Sequence, residues 1–291
     1  MSLEQFKQAV DSLEGYPEFA AKITGRQPIG PYIGMTGGDP LLSEYFVEMC
    51  EYLRSKFPKE QCGLWTCLPK GKEEYGKTIV DTFSHVFIND HTRPDIYHHP
   101  FFVSNNECFT DKDSMWLAIN SCLFQNSWSA SISPKGCFFC EMASSFANLF
   151  DEDGGWPIEK GWWKRPSWTF KDQIEKFCPK CGGAACLPRR SSQDKVDDIS
   201  PNTLERLRKI GSKKIEQGRY VVSDCKQVNP QSLPQMAAYK DFAYRNEIAA
   251  RYGLFLTVNQ QNYWSPHLKK NGYKSFYQPK KIYDIYREKW A

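Results

Sequence analysis

Apolar residues recur at helical spacing from the start of the chain. Leu3, Phe6, Val10 and Leu13 share one face, and Gly15-Tyr16-Pro17 is expected to end that helix. A short strand over residues 32–35 runs into a glycine pair. The strongest helical pattern follows, with Leu42, Tyr45, Phe46, Met49, Cys50, Leu53 and Phe57 at offsets of three and four. Asp39 suits the N-cap of that helix and Pro40 its first position, which predicts a start near Asp39. A strand over 63–66, a helical stretch over 74–83 and a strand over 86–88 continue the alternation. Strand, helix, strand, helix, strand predicts parallel βα units.

The pattern then changes. Residues 91–127 read as irregular apart from a short helix over 113–122. A strand over 129–132 leads through Pro134-Lys135-Gly136 into Cys137-Phe138-Phe139-Cys140. Residues 151–169 are crowded with Gly and Trp, and a cysteine-rich turn occupies 178–186. The polar stretch 189–200 reads as a linker. Further helices are expected near 201–210 and 234–252, and no internal repeat is visible.

Composition adds bounds to this outline. With 291 residues, 41% of them hydrophobic, the chain can bury a substantial core. No apolar run approaches the roughly 18 residues of a membrane span, so no membrane role is expected. The acidic, amphipathic N-terminal helix is unlike a signal or transit peptide. Eleven cysteines in such a chain point to reduced thiols or metal ligands, and to a cytoplasmic location. Residues 1–200 carry a net charge of −6 and residues 201–291 a net charge of +10. The basic region suits a solvated surface first, and an acidic partner or nucleic acid second.

Two motifs carry chemistry. Gly37-Gly38-Asp39-Pro40 lies between a strand and a helix, where glycines admit a close ligand and helix-terminal amides attract a carboxylate. Cys178-Pro179-Lys180-Cys181-Gly182-Gly183 is a tight knuckle that aims two thiolates at one metal. Cys137 and Cys140 have the right spacing for the remaining ligands. If they continue one strand, however, positions three apart point to opposite faces. Cys122, ahead of the strand, can reach the face of Cys140. The preferred set is therefore Cys122, Cys140, Cys178 and Cys181, with Cys137 and Cys186 in reserve. Cys50 and Cys225 read as inert buried thiols. Zinc and a 4Fe-4S cluster both accept four thiolates.

The segment 34–42 resembles the Gly-Gly-Glu-Pro signature of radical S-adenosylmethionine (SAM) enzymes, with Asp39 in place of Glu. The cysteine arrangement, with Pro-x-Gly between Cys122 and Cys140 and a later Cys-x2-Cys, resembles the SPASM or twitch module that follows the barrel in many of them. The resemblance covers residues 1 to about 200. It implies a partial (β/α) barrel over residues 1–115 and a small α+β cysteine-rich module over 116–190; charge and pattern, not the resemblance, mark residues 191–291 as a basic, mostly helical extension. The resemblance also implies SAM lying along Gly37, Gly38, Asp39 and Pro40, with Thr66 and Asn89 at the next two strand ends, and an auxiliary 4Fe-4S cluster on the cysteines. Family members hold their catalytic cluster on a Cys-x3-Cys-x2-Cys loop ahead of the glycine signature. The first cysteine here is Cys50, so the resemblance implies a polypeptide inactive or incomplete alone. The catalytic residues and the substrate are not indicated. The alternative is a non-enzymatic, zinc-binding interaction protein.

Two other clusters were weighed. Asn89, Asp90, His91, Asp95, His98 and His99 contain most of the histidines, and loop hydrogen bonding accounts for them better than a metal. Trp156, Trp162, Trp163 and Trp168 suit loop packing or shielding of a cluster before stacking of a flat substrate.

Overall fold

The computed structural model describes residues 1–24, 33–89, 91, 97–120, 122, 130–185, 187–225 and 276–277. The chain mixes helices and strands and divides into two compact units. One comprises residues 1–91, 158–162 and 257–291, the other residues 92–157 and 163–256. Among the described residues no helix is long and apolar enough to cross a membrane.

The first unit opens with α1 (Leu3–Ser12), capped by a reciprocal Ser2–Gln5 box. Gly15, in the left-handed region at φ 80°, ends it. The chain is helical again at once in α2 (Tyr16–Thr24), because Pro17 falls in a first turn, where its missing N–H costs nothing. Gly15-Tyr16-Pro17 thus ends the first helix, as expected, and also opens a second one. Strands β1 (Ile33–Met35), β2 (Cys62–Thr66) and β3 (His85–Ile88) are parallel neighbours in that order. They are joined through α3 (Phe46–Lys56) and α4 (Gly76–Thr82). The short strand Phe276–Tyr277 pairs antiparallel with the free side of β3. No closed barrel is formed among the described residues.

The core of this unit is one cluster of side chains from the three strands and three of the helices, including Leu41, Phe46, Leu53, Leu64, Ile79 and Val86. The helical stripe of α3 is therefore real, but its start differs from expectation. Asp39 accepts a hydrogen bond from the Leu41 amide at 3.0 Å and caps a single 3-10 turn, Pro40–Leu42. Leu42 is exposed, and α3 begins only at Phe46. The Asp39 carboxylate is bound to the end of β2, and this holds the turn away from helical continuation.

In the second unit, β4 (Tyr97–His98) leads to α5 (Asn105–Cys108) and α6 (Lys112–Asn120). A hairpin of β5 (Ser131–Ser133) and β6 (Gly136–Phe138) turns at Pro134-Lys135 and feeds α7 (Glu141–Leu149) directly. Next come α8 (Lys171–Phe177) and the cysteine knuckle. The stretch read as a linker is structured. It contains β7 (Arg190–Ser191), antiparallel to β4, and β8 (Asp197–Ile199), parallel to β9 (Tyr220–Val222). Between β8 and β9 lie α9 (Pro201–Lys209) and α10 (Lys213–Glu216). Polar composition misled because these strands are short and half-buried, with Arg190 forked onto Asp198 at 2.8 and 2.6 Å. Residues 97–115 belong to this unit as well, packed beneath the knuckle. The helix expected over 234–252 lies outside the described residues.

Candidate metal centre

Three separate segments deliver thiols to one place. The first is Cys122, just past α6, whose amide donates to the Ile119 carbonyl at 3.1 Å. Cys140 is the N-cap residue of α7 and follows the β5–β6 hairpin. Cys178 and Cys181 bracket a 3-10 turn that extends α8, with the Cys181 amide on the Cys178 carbonyl at 3.2 Å. All four line a single cavity of about 30 Å³, together with Asn105, Ile119, Phe139, Met142, Ala143, Phe177 and Ala184. That is more than one water requires, and the rest of the wall is mostly apolar.

The thiols act on one another electrostatically. Burial, and then the neighbouring Cys122, push Cys140 up to about 12, while the amides of Met142 and Ala143 at the start of α7 oppose the rise. Burial also drives Cys178 upward, reinforced by Cys122, Cys140 and Cys181. Cys181 rises for the same reason and through Cys122, with the Gly183 N–H donating to its Sγ at 3.4 Å as a counterweight. Desolvation and mutual repulsion both disfavour the thiolates along this cavity wall, so the thiols favour their protonated form. A metal cation is the group that would reverse that preference, by displacing the protons.

Among the described residues, no three His, Cys, Asp or Glu side chains stand in the arrangement that holds an ion as the side chains lie. The four thiols line the cavity wall. They would have to draw inward around a single zinc, whose sulfur ligands sit roughly 2.3 Å from it. A larger metal–sulfide group would span more of the space. The donor set fits either group by chemistry.

The knuckle is braced by its neighbours as well as by its own turn. Ser104 Oγ donates to the Pro179 carbonyl at 3.0 Å, Asn105 Nδ2 to the Cys178 carbonyl at 3.0 Å, and the Gly182 amide to the Phe101 carbonyl at 2.9 Å. Gly182 fits because it has no side chain. A Cβ there would lie 2.2 Å from the Pro100 carbonyl oxygen and 2.5 Å from that of Val103. Lys180 reaches Glu152 at 2.8 Å, and Glu152 also receives Arg206 of α9. Asn105 is 1% exposed, yet its Oδ1 has no hydrogen-bond partner among the described residues. A buried acceptor left in this state costs about 1–3 kcal/mol.

Cys137 takes no part in lining the cavity. It lies in β6, bonded through its backbone to Trp156 in both directions at 2.9 Å, with its Sγ 3.7 Å from the Pro157 carbonyl. Cys186 lies outside the described residues. Among the described residues no cysteine is joined in a disulfide. Cys50 is buried and pushed up to about 12 by desolvation. Cys225 is also buried, and its thiol accepts a hydrogen bond from Cys108. Trp156 packs against the Phe138–Phe177 cluster. His98 lies in β4, and burial pushes His99 down to about 3, with Arg189 and His98 adding to it. Asp90 and Asp95 lie outside the described residues.

In the first unit, Gly37, Gly38, Asp39, Pro40, Thr66 and Asn89 sit at the C-terminal ends of β1, β2 and β3, which are adjacent. Gly37 and Gly38 have φ of 93° and 45°, and a Cβ on either would meet no atom of the described residues within 4 Å. These glycines serve the turn, and their backbone is open to approach. The polar members are engaged internally. Both Asp39 oxygens accept from Thr66 Oγ1 at 2.8 Å, and Oδ2 also accepts from the Cys67 amide at 2.7 Å. Thr66 is buried, and its Oγ1 accepts from the Leu68 amide at 3.0 Å. The Asn89 amide donates to the Thr66 carbonyl, and its side chain meets His91 Nε2 at 3.0 Å.

Asn105 and the segment around it were not singled out by sequence reasoning. Nothing local marks them, since their partners lie more than seventy residues away. No family model matches this chain, and no curated protein and no solved structure matches it significantly.

Proposed function

We propose that this chain is a protein of the radical SAM type, whose second unit holds an auxiliary 4Fe-4S cluster on Cys122, Cys140, Cys178 and Cys181. The observation that carries this is the convergence of four thiols from three segments on one buried cavity, beside a knuckle braced from outside. We read the three parallel strands of the first unit as part of a (β/α) barrel, and the open turn at Gly37 and Gly38 as the edge along which SAM would lie. Asp39 and Thr66 hold that edge together rather than offering free side chains to a ligand. When bound, a cluster of this kind supplies electron storage, and SAM supplies radical chemistry on an unactivated carbon. The protein's own part is to exclude water from the site, through Phe139, Phe177 and Ile119, and to fix the thiolates.

A zinc-binding interaction protein is the second reading, favoured by the same donor set. Metal and sulfide analysis of the full chain purified without oxygen distinguishes the two. Iron with an equal amount of inorganic sulfide, lost in Cys178→Ala and Cys181→Ala, is the expected result. Zinc without sulfide would favour the interaction protein. Neither metal on the wild-type chain would overturn both.

A further inference from the structure

We propose that Asn105 belongs to the metal site, its carboxamide oxygen being a fifth protein ligand that adds to one of the four irons already held by the four thiolates. The inference rests on the four-thiolate reading above and goes beyond it in the donor set. Asn105 lines the same cavity as the four cysteines and is almost fully buried. Its orientation is fixed, because Nδ2 donates to the Cys178 carbonyl at 3.0 Å. Turning the amide about would set its oxygen against that carbonyl. Oδ1 is thereby left buried with no hydrogen-bond partner among the described residues.

A plain four-thiolate site does not account for this oxygen. Thiolates and inorganic sulfide are acceptors, and so is a carboxamide oxygen, so the two repel unless a cation or a donor lies between them. The rest of the wall offers Ile119, Phe139, Met142, Phe177 and alanines, none of which donates from its side chain. The cation that enters this cavity with the thiolates is the metal, and a carboxamide oxygen carries lone pairs that can bind it. A neutral oxygen is a weaker donor than a thiolate, so the position it fills is the one open to exchange. The anchoring hydrogen bond also gives Asn105 a second task, since it places the knuckle and the oxygen in one rigid relation.

The test uses the full chain, reconstituted anaerobically with isotopically enriched iron and sulfide and read by Mössbauer spectroscopy. In the wild type, one iron subsite should differ from the rest in isomer shift and quadrupole splitting, as an oxygen-ligated iron does. Asn105→Ala should erase that subsite while keeping iron and sulfide. Ser104→Ala, which loosens the knuckle without touching Oδ1, should leave it in place. Where Asn105→Ala fails to fold, Asn105→Asp retains an oxygen and must show a distinct subsite with shifted parameters. A wild-type spectrum with equivalent irons overturns the proposal and leaves the cluster reading standing. So does a subsite that survives in Asn105→Ala or vanishes in Asn105→Asp. A wild-type chain that takes up no iron and sulfide overturns the cluster reading, and this proposal with it.

Discussion

Gly182→Ala perturbs the knuckle through sterics alone. The added methyl would stand 2.2 Å from the Pro100 carbonyl oxygen, 2.5 Å from that of Val103 and 3.2 Å from the Pro100 carbonyl carbon. Unstrained carbon–oxygen contacts begin at about 3.3 Å, so the 100–103 backbone must retreat by about 1 Å. These are main-chain atoms and cannot rotate aside. The retreat stretches the 2.9 Å bond from the Gly182 amide to Phe101 and pulls on the Ser104–Pro179 and Asn105–Cys178 bonds. Overpacking costs about 1–3 kcal/mol and a weakened hydrogen bond about 0.5–1.5 kcal/mol. The expected loss is about 2–4 kcal/mol, a large share of a typical folding free energy of about 5–15 kcal/mol. Urea unfolding of the reduced protein, followed by tryptophan fluorescence, should show a midpoint lower by about 1 M or more. Labelling of Cys178 and Cys181 by a thiol reagent should accelerate. Gly37→Ala is the control, since it meets no atom of the described residues and costs only about 1–2 kcal/mol of backbone strain at φ 93°. A Gly182→Ala protein with the wild-type midpoint and wild-type labelling would refute the argument that this contact shapes the knuckle.

Gln173 is 1% exposed, accepts from the Phe139 amide at 2.9 Å and donates to the Cys137 and Gly154 carbonyls at 3.0 and 2.8 Å. Gln173→Ala strands two buried backbone groups, the Phe139 amide and the Cys137 carbonyl, and should cost about 2 kcal/mol in thermal unfolding, and a loss under about 1 kcal/mol would show that water replaces the side chain. Asp39→Asn turns a carboxylate facing only donors into an amide with one end mismatched to Thr66 or Cys67. Exchange of the Cys67 amide hydrogen should quicken, with a stability loss of about 1–2 kcal/mol, and unchanged exchange would mean that the turn is held by something else. His99, held near 3 in the folded chain, is neutral where the unfolded chain begins to protonate near 6.5. The folded value is depressed, so stability is full above about pH 6.5 and falls as pH drops towards 3. The slope is at most about 1.4 kcal/mol per pH unit, and roughly half that for a partly exposed ring. His99→Gln should flatten the urea midpoint between about pH 6 and pH 4, and an equal slope in both proteins would count against His99 as the source.

Hydrophobic periodicity determined a good deal by itself. The bounds of β2 and β3, the stripe of α3 and the parallel order of β1, β2 and β3 follow from which residues need burial, and that information is local. The Cys178–Cys181 turn is equally local, since Pro179 and the glycines after Cys181 dictate its shape. Cys140 lines the cavity and Cys137 does not, but the reason is not alternation along one continued strand, because the chain turns back at Pro134-Lys135 and Cys140 lies past the end of β6 as a helix cap. Local signals failed wherever a polar group took a distant partner. Asp39 has every mark of a helix cap, but its carboxylate is taken by Thr66 and Cys67, and the helix starts at Phe46 instead. Residues 190–199 are polar enough for a linker, yet they pair with β4 and β9 because ion pairs such as Arg190–Asp198 accompany their burial. Asn105 had no sequence signal whatever. Its importance arises from one hydrogen bond spanning 73 residues and one oxygen left without a partner among the described residues, and satisfaction of a buried polar group is decided only when the whole wall of the cavity is assembled.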